Sequence, residues 1–257
     1  MIIKEVKCKT ALSISSLPGL DYSLNPYRGC QHKCAYCYVP NVLRIKRSSW
    51  GNFVDIRTNI PNVLSKELKK KKPGIIGIST VTDPYQPVEK KYKLTRYCLE
   101  QILKYDFPVC IQTKSDLVTR DIDIISKFSK AEVMFSIGTL NDIERKYLEP
   151  YSSSIQNRLR GMSKLKSIGI ETNVFFGPVY PTIKIKDLNE IISIFIKNGA
   201  KEIMVDKFNI KPGIWDILKK AFPDHINLIK DPIYFRKIFS NTKKICEELD
   251  IPAVSAF

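Results

Sequence analysis

Nothing in these 257 residues approaches the ~18 consecutive apolar residues of a membrane-spanning helix, so no membrane partner is expected. The opening MIIKEVKCKTALSIS lacks the charged head, apolar middle and small-residue cleavage site of a secretory signal, and the expected location is the cytoplasm. There is no repeat of roughly 20 to 50 residues and no low-complexity linker, which excludes a solenoid and leaves a single domain over residues 1–257 as the simplest account. The seven cysteines do not form the disulfide framework of a small secreted protein. In a long intracellular chain they point to metal or redox chemistry. No second cysteine pair follows the first group at zinc-finger spacing.

The stretch Asn25 to Val39, NPYRGCQHKCAYCYV, carries the strongest signal. It sets Cys30, Cys34 and Cys37 in a C-x3-C-x2-C array on a loop opened by Pro26 and Gly29, so that three thiolates can converge on one centre. A structural zinc takes four Cys or His ligands, and a cubane of four irons normally takes four cysteines. A triplet leaves one metal corner open, and an open corner means chemistry. The residues alone leave a second reading: a zinc knuckle completed by His32, which lies two residues from both Cys30 and Cys34. Cys8, Cys98, Cys110 and Cys246 read as small buried hydrophobes. Forty-two Lys and Arg against 26 Asp and Glu leave a net charge of +16. That balance suits a polyanionic partner such as DNA or RNA. The basic residues are spread along the chain, however, and host composition alone also accounts for them.

Apolar runs and helical periods alternate after Pro73. Strands are expected at Ile75 to Thr80, Pro108 to Thr113, Glu132 to Gly138, Ile170 to Phe176 and Lys201 to Phe208. Helices are expected at Tyr92 to Tyr105, Asp121 to Lys130, Gln156 to Ile168 and Asp187 to Lys197, with another opened by Pro61. With one strand just before the cysteine loop this makes an α/β fold, a partial (β/α)6 TIM-type barrel of parallel strands. Residues 1–24 are expected as an N-terminal arm and residues 25–210 as the partial barrel. Residues 211–257 read as a C-terminal helical extension over its open side, with Trp215 and Phe222 in the core.

In a parallel barrel, ligands gather where strands run out. Polar residues stand at those ends: Ser79 to Pro87, Gln112 to Ser115, Ser136 to Thr139 and the Gly177-Pro178 turn. These stretches resemble the radical S-adenosylmethionine (radical SAM) superfamily, and within it the branch around spore photoproduct lyase. The resemblance runs from about Asn25 to Pro212 and is carried by the cysteine triplet, TDPYQP, LTRYCLE, TKSDLVTRD, and LEP followed by Arg158-Leu159.

The resemblance implies a 4Fe-4S cluster on Cys30, Cys34 and Cys37, with SAM chelated at the fourth iron. SAM would be cleaved to a 5'-deoxyadenosyl radical that abstracts hydrogen from a substrate. It further implies that Thr82 and Asp83 meet the methionine amino end, Lys114 its carboxylate and Ser136 the ribose or carboxylate. Tyr36 and its backbone would lie against adenine, with Arg158 as a carboxylate clamp unless it pairs with Glu149 or Glu144 on the surface. Tyr38 would be a radical relay, and an electron donor such as ferredoxin or flavodoxin would supply the reductant. The lyase's hydrogen-donor cysteine has no counterpart in Ile75 to Asp83. A nucleic-acid component is therefore one expected substrate class, and a peptide or small metabolite another.

Overall fold

A computed structural model of the chain describes residues 1–256. Its strands, in chain order, are β1 (Ile2–Val6), β2 (Leu12–Ile14), β3 (Tyr22–Leu24), β4 (Tyr27–Arg28), β5 (Phe53–Arg57), β6 (Ile76–Ile78), β7 (Val109–Thr113), β8 (Ala131–Ser136), β9 (Glu171–Phe176), β10 (Ala200–Val205) and β11 (Ala253–Ser255). The helices are α1 (Val39–Val42), α2 (Ile60–Leu68), α3 (Glu89–Tyr92), α4 (Leu94–Leu103), α5 (Ile122–Ile125), α6 (Asp142–Leu148), α7 (Ile155–Lys166), α8 (Leu188–Lys197), α9 (Trp215–Ala221) and α10 (Pro232–Glu248).

Eight strands form the main sheet in the order β11-β10-β9-β8-β7-β6-β3-β2. Every pair is parallel except β2 with β3. From β3 to β10, strands that follow one another in the sheet also lie side by side in it. Right-handed crossovers then put the helices between successive parallel strands on one face, and the sheet curls into a partial TIM-type barrel rather than a doubly wound sheet. The six strands expected from the sequence are all present, and β11 adds a seventh parallel one.

Alternation along the strands sorts the two faces. On β7, Val109, Ile111 and Thr113 are buried under the helices, while Cys110 and Gln112 are half-exposed on the inner face. The outer helices match this with apolar stripes. On α4 the stripe is Leu94, Cys98, Leu99 and Ile102. On α8 it is Leu188, Ile191, Ile192 and Phe195.

Residues 1–24 are not a single arm. β1 joins a side sheet in the order β1-β5-β4, whereas β2 and β3 belong to the main sheet. Hydrogen bonds pin this path: the Glu67 carboxylate accepts from the backbone N–H of Ala11 at 3.0 Å and of Leu12 at 2.8 Å. The helix expected over Asp121 to Lys130 is reduced to α5, because Asp106 captures the chain at Ser129, accepting its backbone N–H at 3.0 Å. Helix α6 was not expected. Its cap, Asn141, accepts from the N–H groups of Ile143 and Glu144.

The C-terminal extension also departs from expectation. Helix α10, capped by Asp231 and entered through Pro232, packs on α8 and β11 in the outer layer. It is the α9 region that reaches the cysteine loop. Ile214, Leu218, Phe222 and Ile229 there pack with Tyr36, Tyr180 and Phe208. Phe222 is buried as expected, and Trp215 is half-buried beneath the Lys230 ammonium, 3.8 Å from its ring centroid.

Phe195 tests the interlock of helix and sheet. It is fully buried, with its ring edge-on to Phe176 at 5.5 Å. Phe195→Ala is expected to cost about 3–5 kcal/mol. A lowered urea midpoint at unchanged m-value would report it, and an unshifted midpoint would contradict this packing.

Candidate active site

The cysteine loop leaves β4 at Gly29, whose φ is +91°. A side chain there would put its Cβ 2.4 Å from the Phe53 carbonyl oxygen, so only glycine fits. Beyond it Cys30 is buried, and Cys34 and Cys37 are half-buried. Distant residues hold the loop. Thr82 Oγ1 donates to the Gly29 carbonyl at 2.6 Å, and Gln86 Nε2 donates to the same oxygen at 3.2 Å. Gln86 Oε1 in turn accepts from the Gln31 N–H at 2.8 Å. Ala35 N–H donates to the Leu148 carbonyl at 2.8 Å. Asn25 Oδ1 accepts from the N–H groups of Thr80 at 3.1 Å and Val81 at 3.0 Å, which fixes the turn after β6.

Burial sets the protonation of the thiols. It pushes the Cys30 thiol up to about 12, with the Asp83 charge and Cys37 adding to the effect. Cys34 is raised well above its ordinary value by burial and by Glu149, with Lys114 opposing. Cys37 is raised by burial. At neutral pH the metal-free thiols therefore keep their protons, which a metal must displace.

Lys114 stands beside Cys34. Burial pulls its pKa down, but Cys34 and Glu149 push it up by more, and the ammonium stays charged. Its Nζ lies 6.0 Å from the Tyr36 ring centroid.

Asp83 is buried behind the loop. It accepts from Thr113 Oγ1 at 2.7 Å, the Lys114 N–H at 2.8 Å and the Tyr85 N–H at 2.9 Å. His32 Nδ1 lies 3.3 Å from its Oδ2, an electrostatic contact without hydrogen-bond alignment. Burial alone would raise the Asp83 pKa, but His32 and these hydrogen bonds hold it down to about 2. The one imidazole in the loop thus has its Nδ1 turned to a carboxylate.

Glu149 is the hub of the opposite wall. Its carboxylate accepts from the Tyr36 hydroxyl, from Arg158 Nη2 and from Ser152 Oγ at 3.0 Å. Arg158 also donates from Nη1 to the Ser136 carbonyl at 2.6 Å and from Nε to the Ser153 carbonyl at 3.0 Å. Both members of this pair are almost completely buried. Arg158 therefore neither pairs on the surface nor has a free edge to clamp a ligand. The Tyr36 ring is not open to adenine either, since it is buried edge-on against Tyr180 and Phe208, with centroids 6.5 and 5.6 Å away.

Ser136 ends β8 on the inner face, its hydroxyl accepting from Gln112 Nε2 at 3.3 Å. Tyr38, 36 % exposed, stands where the loop enters α1, within electrostatic reach of Cys37, Asp206 and Lys114. Burial pushes the Asp206 carboxyl, just past the end of β10, up to about 6.

Among the described residues, no three His, Cys, Asp or Glu side chains are already gathered about one point for a metal ion. The donor set the chain offers is three thiols on one loop with a cation beside them. Ser79 Oγ and Asn173 Oδ1 are buried without partners, which suits a polar ligand. The roles of Gln86, Asn25 and Glu149 in holding the loop were not read from the sequence, although TDPYQP and LEP carry two of them.

Two measurements test these electrostatics. Glu149→Gln strands the buried Arg158 charge and is expected to cost roughly 3–5 kcal/mol in urea unfolding. A neutral result would remove Glu149 from its central place. The Asp83 pKa is depressed in the fold, so its contribution is present above the ordinary value of 3.8 and is lost as pH falls toward about 2. That amounts to roughly 2 kcal/mol. Asp83→Asn should flatten the acid limb of the stability profile between those values, and an unchanged limb would refute the assignment.

Comparison with known proteins places this geometry. The sequence model of the radical SAM superfamily matches residues 24–195. A protein of Methanocaldococcus jannaschii is 36% identical over 252 residues, covering 97% of this chain and 95% of that one. A radical SAM Nalpha-GlyT isomerase of Pseudomonas phage M6 is 27% identical over 164 residues, 63% of this chain and 34% of the phage protein. Among solved structures, spore photoproduct lyase complexed with dinucleoside spore photoproduct superposes with a TM-score of 0.75 at 14% identity, covering 99% of this chain and 82% of that one. Streptococcus suis SuiB bound to S-adenosylmethionine superposes with a TM-score of 0.58 at 14% identity, covering 91% of this chain and 50% of that one. Members of the family use a 4Fe-4S cluster and SAM, and this chain, with its thiol triplet at the C-terminal rim of a partial barrel, belongs to the radical SAM superfamily.

Proposed function

We propose that Cys30, Cys34 and Cys37 hold a 4Fe-4S cluster and that the chain directs radical chemistry at a nucleic-acid component. The observation that carries this reading is the thiol triplet held at the C-terminal ends of the parallel strands with the charged Lys114 beside Cys34. When bound, the cluster and SAM supply the one-electron cleavage that releases a 5'-deoxyadenosyl radical. The chain's own residues bind and orient. Lys114 offers a fixed cation to the carboxylate of SAM, and the Ser136 hydroxyl offers a polar contact to its ribose or carboxylate. Thr82 serves chiefly by fastening Gly29, and Asp83 by fixing the Lys114 backbone, while Glu149 and Arg158 together stiffen the wall behind Tyr36. With its ring occupied, Tyr36 has only its backbone to present to adenine. To Tyr38, the exposed tyrosine of the pair, we assign the radical relay.

The substrate class draws on two supports. The net charge is +16. The spore photoproduct lyase structure holds a dinucleoside spore photoproduct. No cysteine lies between Ile75 and Asp83, so that segment does not supply the thiol with which the lyase quenches its product radical. We assign the protein to the cytoplasm, reduced by a ferredoxin or flavodoxin.

Anaerobically reconstituted protein given SAM and dithionite is expected to bind about four irons per chain and to form 5'-deoxyadenosine. Cys30→Ala is expected to lose both. One zinc without iron, or equal nucleoside from the variant, would defeat the reading.

A further inference from the structure

On the outer side of the cysteine loop lies a cavity of about 490 Å³. His32 forms part of its wall, so it adjoins the loop directly. The other walls come from the turns after β6 and β7, from α3, and from the loop before α7 and its outer face as far as Lys164 in the last turn. Its charged groups are unbalanced. The Lys90 and Lys164 ammonium groups line it with no acidic partner, and the side-chain amide of Asn157 has none either. The Tyr85 hydroxyl, 1% exposed, is buried beside Asp121 without a hydrogen bond of normal geometry.

Against these donors stands one lining carboxylate, Asp116, which already accepts from Ser153 Oγ. Arg120 lines the cavity too, but its charge is balanced by Glu89 and Asp121. Two unpaired ammonium groups thus face a single carboxylate, and the free charge is positive. An anion with several acceptor oxygens satisfies that surplus.

We propose that this cavity binds backbone phosphate of a single-stranded nucleic-acid substrate, with Lys90 and Lys164 each neutralising one phosphate. The proposal rests on the nucleic-acid reading above and adds where the backbone sits: at the rim beside the cluster loop, outside the barrel. The volume holds a phosphodiester with its sugar, and the shared wall at His32 keeps that segment next to the radical site.

The test uses the reconstituted holoenzyme and a fluorescently labelled single-stranded DNA 12-mer, with affinity measured by anisotropy across a salt series. Each phosphate contact contributes about 0.7 to the slope of log affinity against log salt. The Lys90→Ala/Lys164→Ala double variant should therefore lose about 1.4 of slope. Its affinity at 0.1 M salt should fall by about 25-fold, the factor that this slope generates between 1 M and 0.1 M. SAM-dependent 5'-deoxyadenosine formation without substrate should stay at the wild-type level, showing the radical site intact. Lys69→Ala/Lys70→Ala, on the exposed end of α2 outside the cavity, removes the same charge as a control.

If both double variants lose slope equally, binding is diffuse and the cavity is overturned while the nucleic-acid reading survives. If wild-type protein cleaves SAM but shows no salt-dependent binding, both fall. If only inorganic phosphate, followed by calorimetry, depends on Lys90 and Lys164, the cavity is a small-anion site and the proposal is overturned.

Discussion

Three thiols in a nearly dry loop must each lose a proton before they can hold iron, and much of the surrounding structure answers that demand. Burial lifts Cys30 to about 12 and Cys34 well above its ordinary value, so the loop by itself favours the neutral form. Cations oppose this, the Lys114 ammonium at Cys34 and, together with Arg47, at Cys37. Burial works against the Lys114 proton, but the Cys34 thiolate, when formed, and the Glu149 carboxylate hold it. The cation and a thiolate of the loop thus stabilise each other.

Glu149 is held in the ionised state in its turn. Burial opposes it, but Arg158, Lys114 and the Tyr36 hydroxyl bring its pKa below the ordinary carboxylate value. Buried ion pairs tend to specify an arrangement rather than add net stability, because desolvation offsets most of the attraction. Here the specified arrangement is the wall between α6 and the cysteine loop. Tyr36 comes from the loop, Glu149 from the end of α6 and Arg158 from α7. The same carboxylate thereby ties the cysteine loop to residues more than a hundred positions away.

What the sequence made legible follows from which interactions are local. Short apolar runs such as Ile75 to Thr80 gave strands because a buried strand must be largely apolar, whereas Ile170 to Phe176 carries Glu171 and Asn173 on the inner face and was legible from its β-branched and aromatic residues. The Cys30, Cys34, Cys37 spacing was legible because all three belong to one loop. Glu149 looked like a surface acid, because its partners Tyr36 and Lys114 lie far away in the chain. Gln86 likewise gave no sign that it clamps Gly29 across 57 positions. For Arg158 the sequence offered a carboxylate clamp or a surface pair with Glu149 or Glu144, and only the fold shows that the pair with Glu149 is buried and that its other donors meet Ser136 and Ser153. The short α5 fails as a periodicity reading because one side chain, Asp106, overrides local preference at Ser129.

The distribution of charge bears on what enters the barrel. Register pairs Cys110 with Glu132 and Glu132 with Glu171, so these residues form a row on the inner face near the strand beginnings. Burial, with Glu132 adding, pushes the Cys110 thiol up to about 12, and burial with Glu132 and Glu171 raises Glu202. Asn173, on the same face, donates to Glu132 at 2.9 Å and leaves its own carbonyl oxygen unpaired. A chain with a net charge of +16 therefore carries carboxylates and acceptors, not cations, along this inner floor. Like charges brought together there resist any further anion. For a nucleic-acid substrate, the phosphates are thereby confined to the rim. A base with N–H donors meets the complementary surface inside, so the direction of approach follows from the placement of charge as much as from the shape of the opening.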